Sequence, residues 1–264
     1  MSSPERGILA RRVATAAVLI AALLAALFLL PRAGLVAAVA ALAALAGYEW
    51  ARLCRIATIG TYGYAAAIAF GAVVLYHTEP RQPVFALAAV FWIVLVPVWL
   101  WRGVAPRQSG ALAVAGFIAL LPAALAIMTL GPRQVLLALA LVWVADTAAF
   151  FTGLRFGRRK LAPLISPGKT WEGAAGGLLG ALAYAIICGL YLGGVPWVPF
   201  LAAAVLLVIL SILGDLFESA AKRQAGTKDS GALLPGHGGI LDRIDSTLST
   251  LPLAALLWPL IGRP

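Results

Sequence analysis

Long apolar runs, each broken by a few polar residues, follow one another along almost the whole chain. Crossing the hydrocarbon of a bilayer takes roughly 20 helical residues. Runs that meet this length can be drawn at 13–30, 34–50, 57–76, 84–101, 111–130, 134–151, 173–193, 197–214 and 246–261. Nine such spans predict an all-α, polytopic transmembrane helix bundle, read as one integral membrane domain over 1–264, with N-terminal helices in 1–133 and catalytic helices and polar loops in 134–264. The first run, Val13 to Leu30, follows Arg11 and Arg12 as a secretory signal would. Pro31-Arg32 stands where a small-residue cleavage site belongs, so the run reads as a retained helix. Gly173, Gly176, Gly177 and Gly180 lie three or four apart, the spacing of a close helix-packing face. No internal repeat is visible, which removes the pattern shared by many secondary transporters.

Composition agrees with the pattern: 62% of the residues are hydrophobic, beyond the range of ordinary soluble domains. Cys54 and Cys188 sit in or beside different apolar runs and give no disulfide framework. The net charge of +10 suggests nucleic acid only until its placement is considered. With a cytoplasmic N-terminus, the inner side receives sixteen of the twenty Lys and Arg residues, and the outer side only Arg32, Arg81, Arg133 and Arg263. The positive-inside rule accounts for that asymmetry, and one span more or fewer would scramble it. The charge therefore implies a multi-pass protein with an anionic substrate and membrane lipids around it, and no nucleic acid partner.

Acidic residues are scarce and concentrated. Five of the ten, Asp215, Glu218, Asp229, Asp242 and Asp245, fall within 31 residues, among Lys222, Arg223, Lys228 and Arg243. Ser211, Asp215, Glu218 or Ser219, and Lys222 share one face of a helix that leaves the membrane on its basic side. Asp242 and Asp245 share a face at the start of the last span, where negative groups also suit a helix N-terminus. Between the two lies Lys228-Asp229-Ser230-Gly231, then Pro235-Gly236-His237-Gly238-Gly239, a turn whose backbone N–H groups suit a phosphate. His237 has no second histidine at ligand spacing and reads as a phosphate-contacting or positioning residue. Without His or Cys ligands in range, zinc is disfavoured; the hard oxygen ligands point to magnesium bridging a substrate's phosphates.

Upstream, Asp146 lies inside an apolar run, where a carboxylate is a functional candidate by default. The inner segment that follows ends in Ser166-Pro-Gly-Lys169-Thr170-Trp-Glu-Gly173. This is no Walker A loop, yet its hydroxyls and Lys169 suit an anionic headgroup or a nucleoside triphosphate.

Taken together, Ser219 with Lys222-Arg223, Lys228-Asp229, Pro235-Gly-His-Gly-Gly239 and Asp242-Arg243-Ile-Asp245 resemble the signature of the bacterial phosphatidate cytidylyltransferases, or CDP-diacylglycerol synthases. The better matches run from 142 to 249 and include Asp146-Thr-Ala-Ala149, Ser166 to Gly173 and Gly214 to Ser219; the N-terminal half matches mainly in hydropathy, the Arg12 start and the Glu49-Trp50 pair. The resemblance implies cytidylyl transfer from CTP to phosphatidic acid in phospholipid biosynthesis, in the bacterial inner membrane, with the site facing the cytoplasm. It implies that Asp215 and Asp242 hold the catalytic Mg2+ with Lys222 close by; beside them, Asp146, Asp229 and Asp245 are the further catalytic candidates, and Ser166, Lys169, Thr170, Ser219, Arg223, Lys228, His237, Gly238 and Arg243 the candidate substrate-binding residues. A second, monovalent cation and a homodimer are left open, and an ion-coupled transporter is the alternative from another class. One departure stands out: the family's Gly-Arg-x-Phe-Gly is here Gly153-Leu-Arg155-Phe-Gly157, which turns the arginine by about 100° on a helix. Arg155 is therefore not assigned the family arginine's role.

Overall fold

A computed structural model describes residues 3–78, 81–103, 108–233 and 238–261, with backbone alone for 3–13. Among these residues every predicted span is a helix: α1 (Ser3–Phe28), α2 (Arg32–Leu53), α3 (Thr58–His77), α4 (Gln82–Arg102), α5 (Ser109–Thr129), α6 (Pro132–Phe156), α7 (Trp171–Leu192), α8 (Trp197–Ala225) and α9 (Leu241–Ile261). Eight are long and apolar enough to cross a membrane, and α1 contributes the shorter apolar stretch Ala14–Phe28. The chain is an integral membrane helix bundle.

Local chemistry sets several boundaries. Pro132 opens α6 at a position where its missing N–H is not needed, and the Gln134 side chain accepts from Gly131 N at 2.8 Å. Pro97 would interrupt α4, and a π-helical turn at Phe91–Leu95 directly before it lets the helix continue. Gly226 closes α8 at φ 76°, in the left-handed region that glycine takes without strain, with Gly226 N and Thr227 N donating to the carbonyls of Arg223 and Lys222.

Successive helices run up and down, so one end of the bundle gathers the ends of α2, α4, α6 and α8 and the starts of α3, α5, α7 and α9. Contacts confirm this pairing: Trp50 Nε1 near the end of α2 donates to the Leu112 carbonyl near the start of α5 at 2.8 Å, and the Tyr64 hydroxyl on α3 donates to the Ala113 carbonyl at 2.7 Å. Gly116 makes room for both rings, since a Cβ there would collide with the Trp50 indole and the Tyr64 hydroxyl. At the opposite end, Arg32 starts α2, reaches the carbonyl of Met128 near the end of α5 and lies over the Tyr76 ring of α3.

Two packing features orient the helices that matter most. The predicted glycine face is where α7 meets α6: a Cβ on Gly177 would stand 2.9 Å from the Ala145 carbonyl, and one on Gly173 3.0 Å from that of Ala149. Glycine thus brings the two backbones together. On α8, fully buried Phe217 is surrounded by Trp50, Phe91, Trp92 and Trp99, with centroids 5.4–5.9 Å away. Each such pair contributes about 0.5–1.5 kcal/mol beyond the area it buries. This ring cluster from α2 and α4 fixes the rotation of α8, and hence where Asp215 and Glu218 point.

The sequence predicts a polar segment over 152–172. Its second half is an antiparallel hairpin, β1 (Lys160–Ala162) with β2 (Ser166–Thr170), in register Lys160↔Thr170 and Ala162↔Ser166. The Glu172 carboxylate pins its base, accepting from Arg158 N at 3.0 Å and Arg159 N at 3.2 Å, while Trp171 N donates to the Arg159 carbonyl.

Candidate active site

The hairpin and the helix ends enclose a cavity of about 640 Å³. Asp146 of α6, Lys160, Gly168 and Lys169 of the hairpin, Asp215 of α8, and Asp242, Asp245 and Ser246 of α9 line it, together with the glycine face of α7. The rim on α6 is formed by Phe150 and Leu154, exposed at 64% and 75% on the outer surface of the bundle. The lining thus combines carboxylates and lysines with exposed apolar side chains on α6.

Four of the six residues predicted to be catalytic, Asp146, Asp215, Asp242 and Asp245, meet in this cavity although they come from three helices. Asp215 Oδ2 is paired with Lys169 Nζ at 2.6 Å, and its Oδ1 accepts from the Ser219 hydroxyl at 3.2 Å. Asp146 and Asp245 both lie within electrostatic reach of Asp215 and of Lys169. Asp242 is held more firmly. Its Oδ1 accepts from Lys222 Nζ at 2.7 Å, and its Oδ2 accepts from Gly239 N at 2.8 Å and Ser230 N at 3.0 Å. Lys222 is also paired with Glu218 Oε2 at 2.6 Å, so one ammonium is shared by two carboxylates behind the cavity wall. Glu218 is 1% exposed, and its Oε1 has no hydrogen-bond partner among the described residues.

The predicted substrate-binding residues divide. Lys169 and Thr170 line the cavity, but Thr170 is buried as the N-cap of α7, its Oγ1 accepting from Gly173 N at 3.1 Å. Ser166 stands at the start of β2, and Ser219 supports Asp215. Arg223 is exposed and braces the hairpin by donating to the Ile165 carbonyl at 3.3 Å. Lys228, Asp229 and Arg243 are exposed and are not part of the cavity lining. Gly238 has φ 78° beside Asp242, and a Cβ there would stand 2.6 Å from Asp242 Oδ2, so only glycine serves. His237 lies outside the described residues, and Arg155 is exposed near the end of α6.

Among the described residues no three His, Cys, Asp or Glu side chains stand together as a ready-made metal cage. The carboxylates that do line the cavity are hard oxygen donors on separate helices, a set that fits magnesium, which is usually held by one or two carboxylates with waters and substrate phosphates. The cavity's donors are all oxygen, and Asp215 and Asp242 each have a lysine ammonium against one oxygen. Both positions thus favour positive charge.

Two residues received no site role from the sequence. In the sequence Glu218 is one position on a helix face, and Glu49 is half of a matching pair. The rule that singled out Asp146 applies to Glu49 as well: it is a carboxylate within an apolar run, 1% exposed in the fold.

Comparison with known proteins gives a consistent picture. The model of the cytidylyltransferase family matches residues 10–261. A phosphatidate cytidylyltransferase of Pseudomonas aeruginosa is 42% identical over 216 residues, covering 75% of this chain and 78% of its own. One from Thermotoga maritima is 35% identical over 203 residues, 74% of each chain, and one from Bacillus subtilis is 44% identical over 133 residues, about half of each. Nothing in these relatives supports the transporter alternative.

Proposed function

The chain belongs to the cytidylyltransferase family, and from that membership we propose that it transfers the cytidylyl group of CTP to phosphatidic acid, giving CDP-diacylglycerol and pyrophosphate. The observation that carries this reading is the cavity, where carboxylates and Lys169 share one space with the exposed apolar side chains of Phe150 and Leu154. A substrate with acyl tails and a phosphate monoester fits both halves: the tails stay in the bilayer beside Phe150 and Leu154 while the headgroup enters among the charges.

The chemistry asks little of a base. The monoester's second pKa is near 6, so at pH 7 its oxygen is already ionised and nucleophilic. That oxygen forms a bond to the α-phosphorus of CTP as the bond from this phosphorus to the bridging oxygen of pyrophosphate breaks. The obstacle is repulsion between two polyanions, and catalysis is orientation plus neutralisation. Asp215 and Asp242 would hold Mg2+, which when bound would supply neutralisation of the phosphates' charge. Lys169 stands beside Asp215 to meet phosphate oxygens once the ion pair is exchanged. Lys222 keeps Asp242 ionised and aimed. The basic bias of this end of the bundle supports placing it in the cytoplasm, where CTP is available, and the protein in the bacterial inner membrane.

The test is incubation of purified protein with phosphatidic acid, Mg2+ and each nucleoside triphosphate in turn, scoring lipid-linked nucleotide. CTP should give product; EDTA should abolish it and excess Mg2+ restore it. Absence of lipid-linked CMP with an intact, folded protein would sink the assignment.

A further inference from the structure

We propose that Glu49, on α2 in the half of the chain that lines none of the cavity, is a positioning residue that sets Asp242 and the start of α9. The inference rests on the cytidylyltransferase reading for its consequence, though not for its geometry. Glu49 Oε1 accepts from Ile240 N at 3.0 Å, and Oε2 from Leu241 N at 2.9 Å and from the Ser230 hydroxyl at 2.8 Å. These donors are 181–192 residues away in sequence. The first N–H groups of a helix lack partners within it, and α9 receives its capping carboxylate from another helix.

The environment is built around that carboxylate. Among the described residues no Lys or Arg pairs with Glu49, so its charge rests on the two N–H groups, the hydroxyl and the positive end of α9. Gly231 and Gly239 leave the space it needs. A Cβ on Gly231 would stand 2.5 Å from Oε1, and one on Gly239 would collide with Oε2 and with the Ser230 hydroxyl. Burying a carboxylate this completely is costly unless its donors are well placed.

What it holds is the cradle of Asp242. Leu241 is the adjacent residue, and Ser230 and Gly239 supply the two N–H groups that fix Asp242 Oδ2. The Ser230 oxygen lies 2.8 Å from Glu49 and 3.1 Å from Asp242, so its single hydroxyl hydrogen serves the closer Glu49 while its backbone N–H serves Asp242. Glu49 therefore fixes the two segments that together fix Asp242. This gives the N-terminal helices a role in the reaction without contact with substrate.

The isosteric Glu49→Gln keeps size and removes charge, and it sets an amide N–H2 against backbone donors. Loss of buried hydrogen bonds of this kind corresponds to about a 10–100-fold fall in kcat, with KM for CTP and for phosphatidic acid moving by less than about threefold. The melting midpoint in detergent should stay within a few degrees of wild type, while trypsin cleavage after Lys228 should speed up about fivefold as the 226–233 segment loosens. Gly239→Ala, which presses on the same contact from the other side, should reproduce the kcat loss. Glu49→Gln with kcat within twofold of wild type overturns the proposal. So does a loss of activity fully explained by unfolded protein, with wild-type kcat in the folded fraction. If wild-type protein makes no lipid-linked CMP, the catalytic reading fails by itself, and the trypsin comparison still decides whether Glu49 holds the segment.

Discussion

Lys222 sits between Glu218 and Asp242, 2.6 and 2.7 Å from their oxygens, with only 11% of its side chain exposed. Because two carboxylates share this one ammonium, its removal strands buried Glu218 and leaves Asp242 on its hydrogen bonds from Gly239 and Ser230 alone. Lys222→Met should destabilise the protein by about 3–5 kcal/mol, read as a lower melting midpoint in detergent, and Lys222→Met with Glu218→Gln should recover part of it. Asp215 makes the opposite forecast, because it faces the cavity rather than the core. Asp215→Asn should cut turnover by about 100-fold or more and leave the melting midpoint nearly unchanged; equal turnover in purified variant protein would remove Asp215 from the machinery. The sequence made these acids legible because charge in an apolar chain is rare and their spacing gave a shared face. Glu49 shared that rarity but not the spacing, since its partners are supplied by a segment more than 180 residues distant. Nor did the sequence show that Asp242 is held by N–H groups of its own loop, which depends on the turn at Gly238 and Gly239.

At the scale of elements, hydropathy located every span, because twenty apolar residues in a row have few alternatives, though α1 begins ten residues before its apolar run and α6 ends five residues after its own. It shortened α8 and α9 at their charged ends, where the pattern turns polar while the helix continues: α8 runs on to Ala225, and α9 begins at Leu241. The hairpin was missed for a related reason. Strands of three and five residues, the longer containing Pro167 and Gly168, carry too little alternation to register, and they persist through tertiary contacts from Glu172 and Arg223. The glycine face of α7 was read correctly, and it yields a measurable outcome. Gly177→Val would drive its side chain into the Ala145 carbonyl, so α6 and α7 must separate. We expect about 1–3 kcal/mol of destabilisation and a fall in activity, because Asp146 rides on α6 and Lys169 on the hairpin joined to α7. A variant with unchanged melting midpoint and activity would show that the helices do not meet there.

For the whole molecule, the up-and-down order places Lys228 at the charged end and His77 at the other, both exposed. Single-cysteine labelling with a membrane-impermeant maleimide checks the orientation. With Cys188→Ser as background, His77→Cys should label on intact spheroplasts, and Lys228→Cys only after permeabilisation. Cys54 will not interfere, since it is buried and desolvation pushes its thiol up to about 12. The reverse labelling pattern would place the cavity outside the cell and end the cytoplasmic assignment.

The rim formed by Phe150 and Leu154 has a kinetic corollary. A door that opens sideways into the acyl layer lets reactant and product travel by two-dimensional diffusion, so the effective concentration is a mole fraction in the surface and not a molarity in the tube. Adding empty micelles at constant total lipid should slow the reaction by surface dilution, even though nothing has been removed from solution.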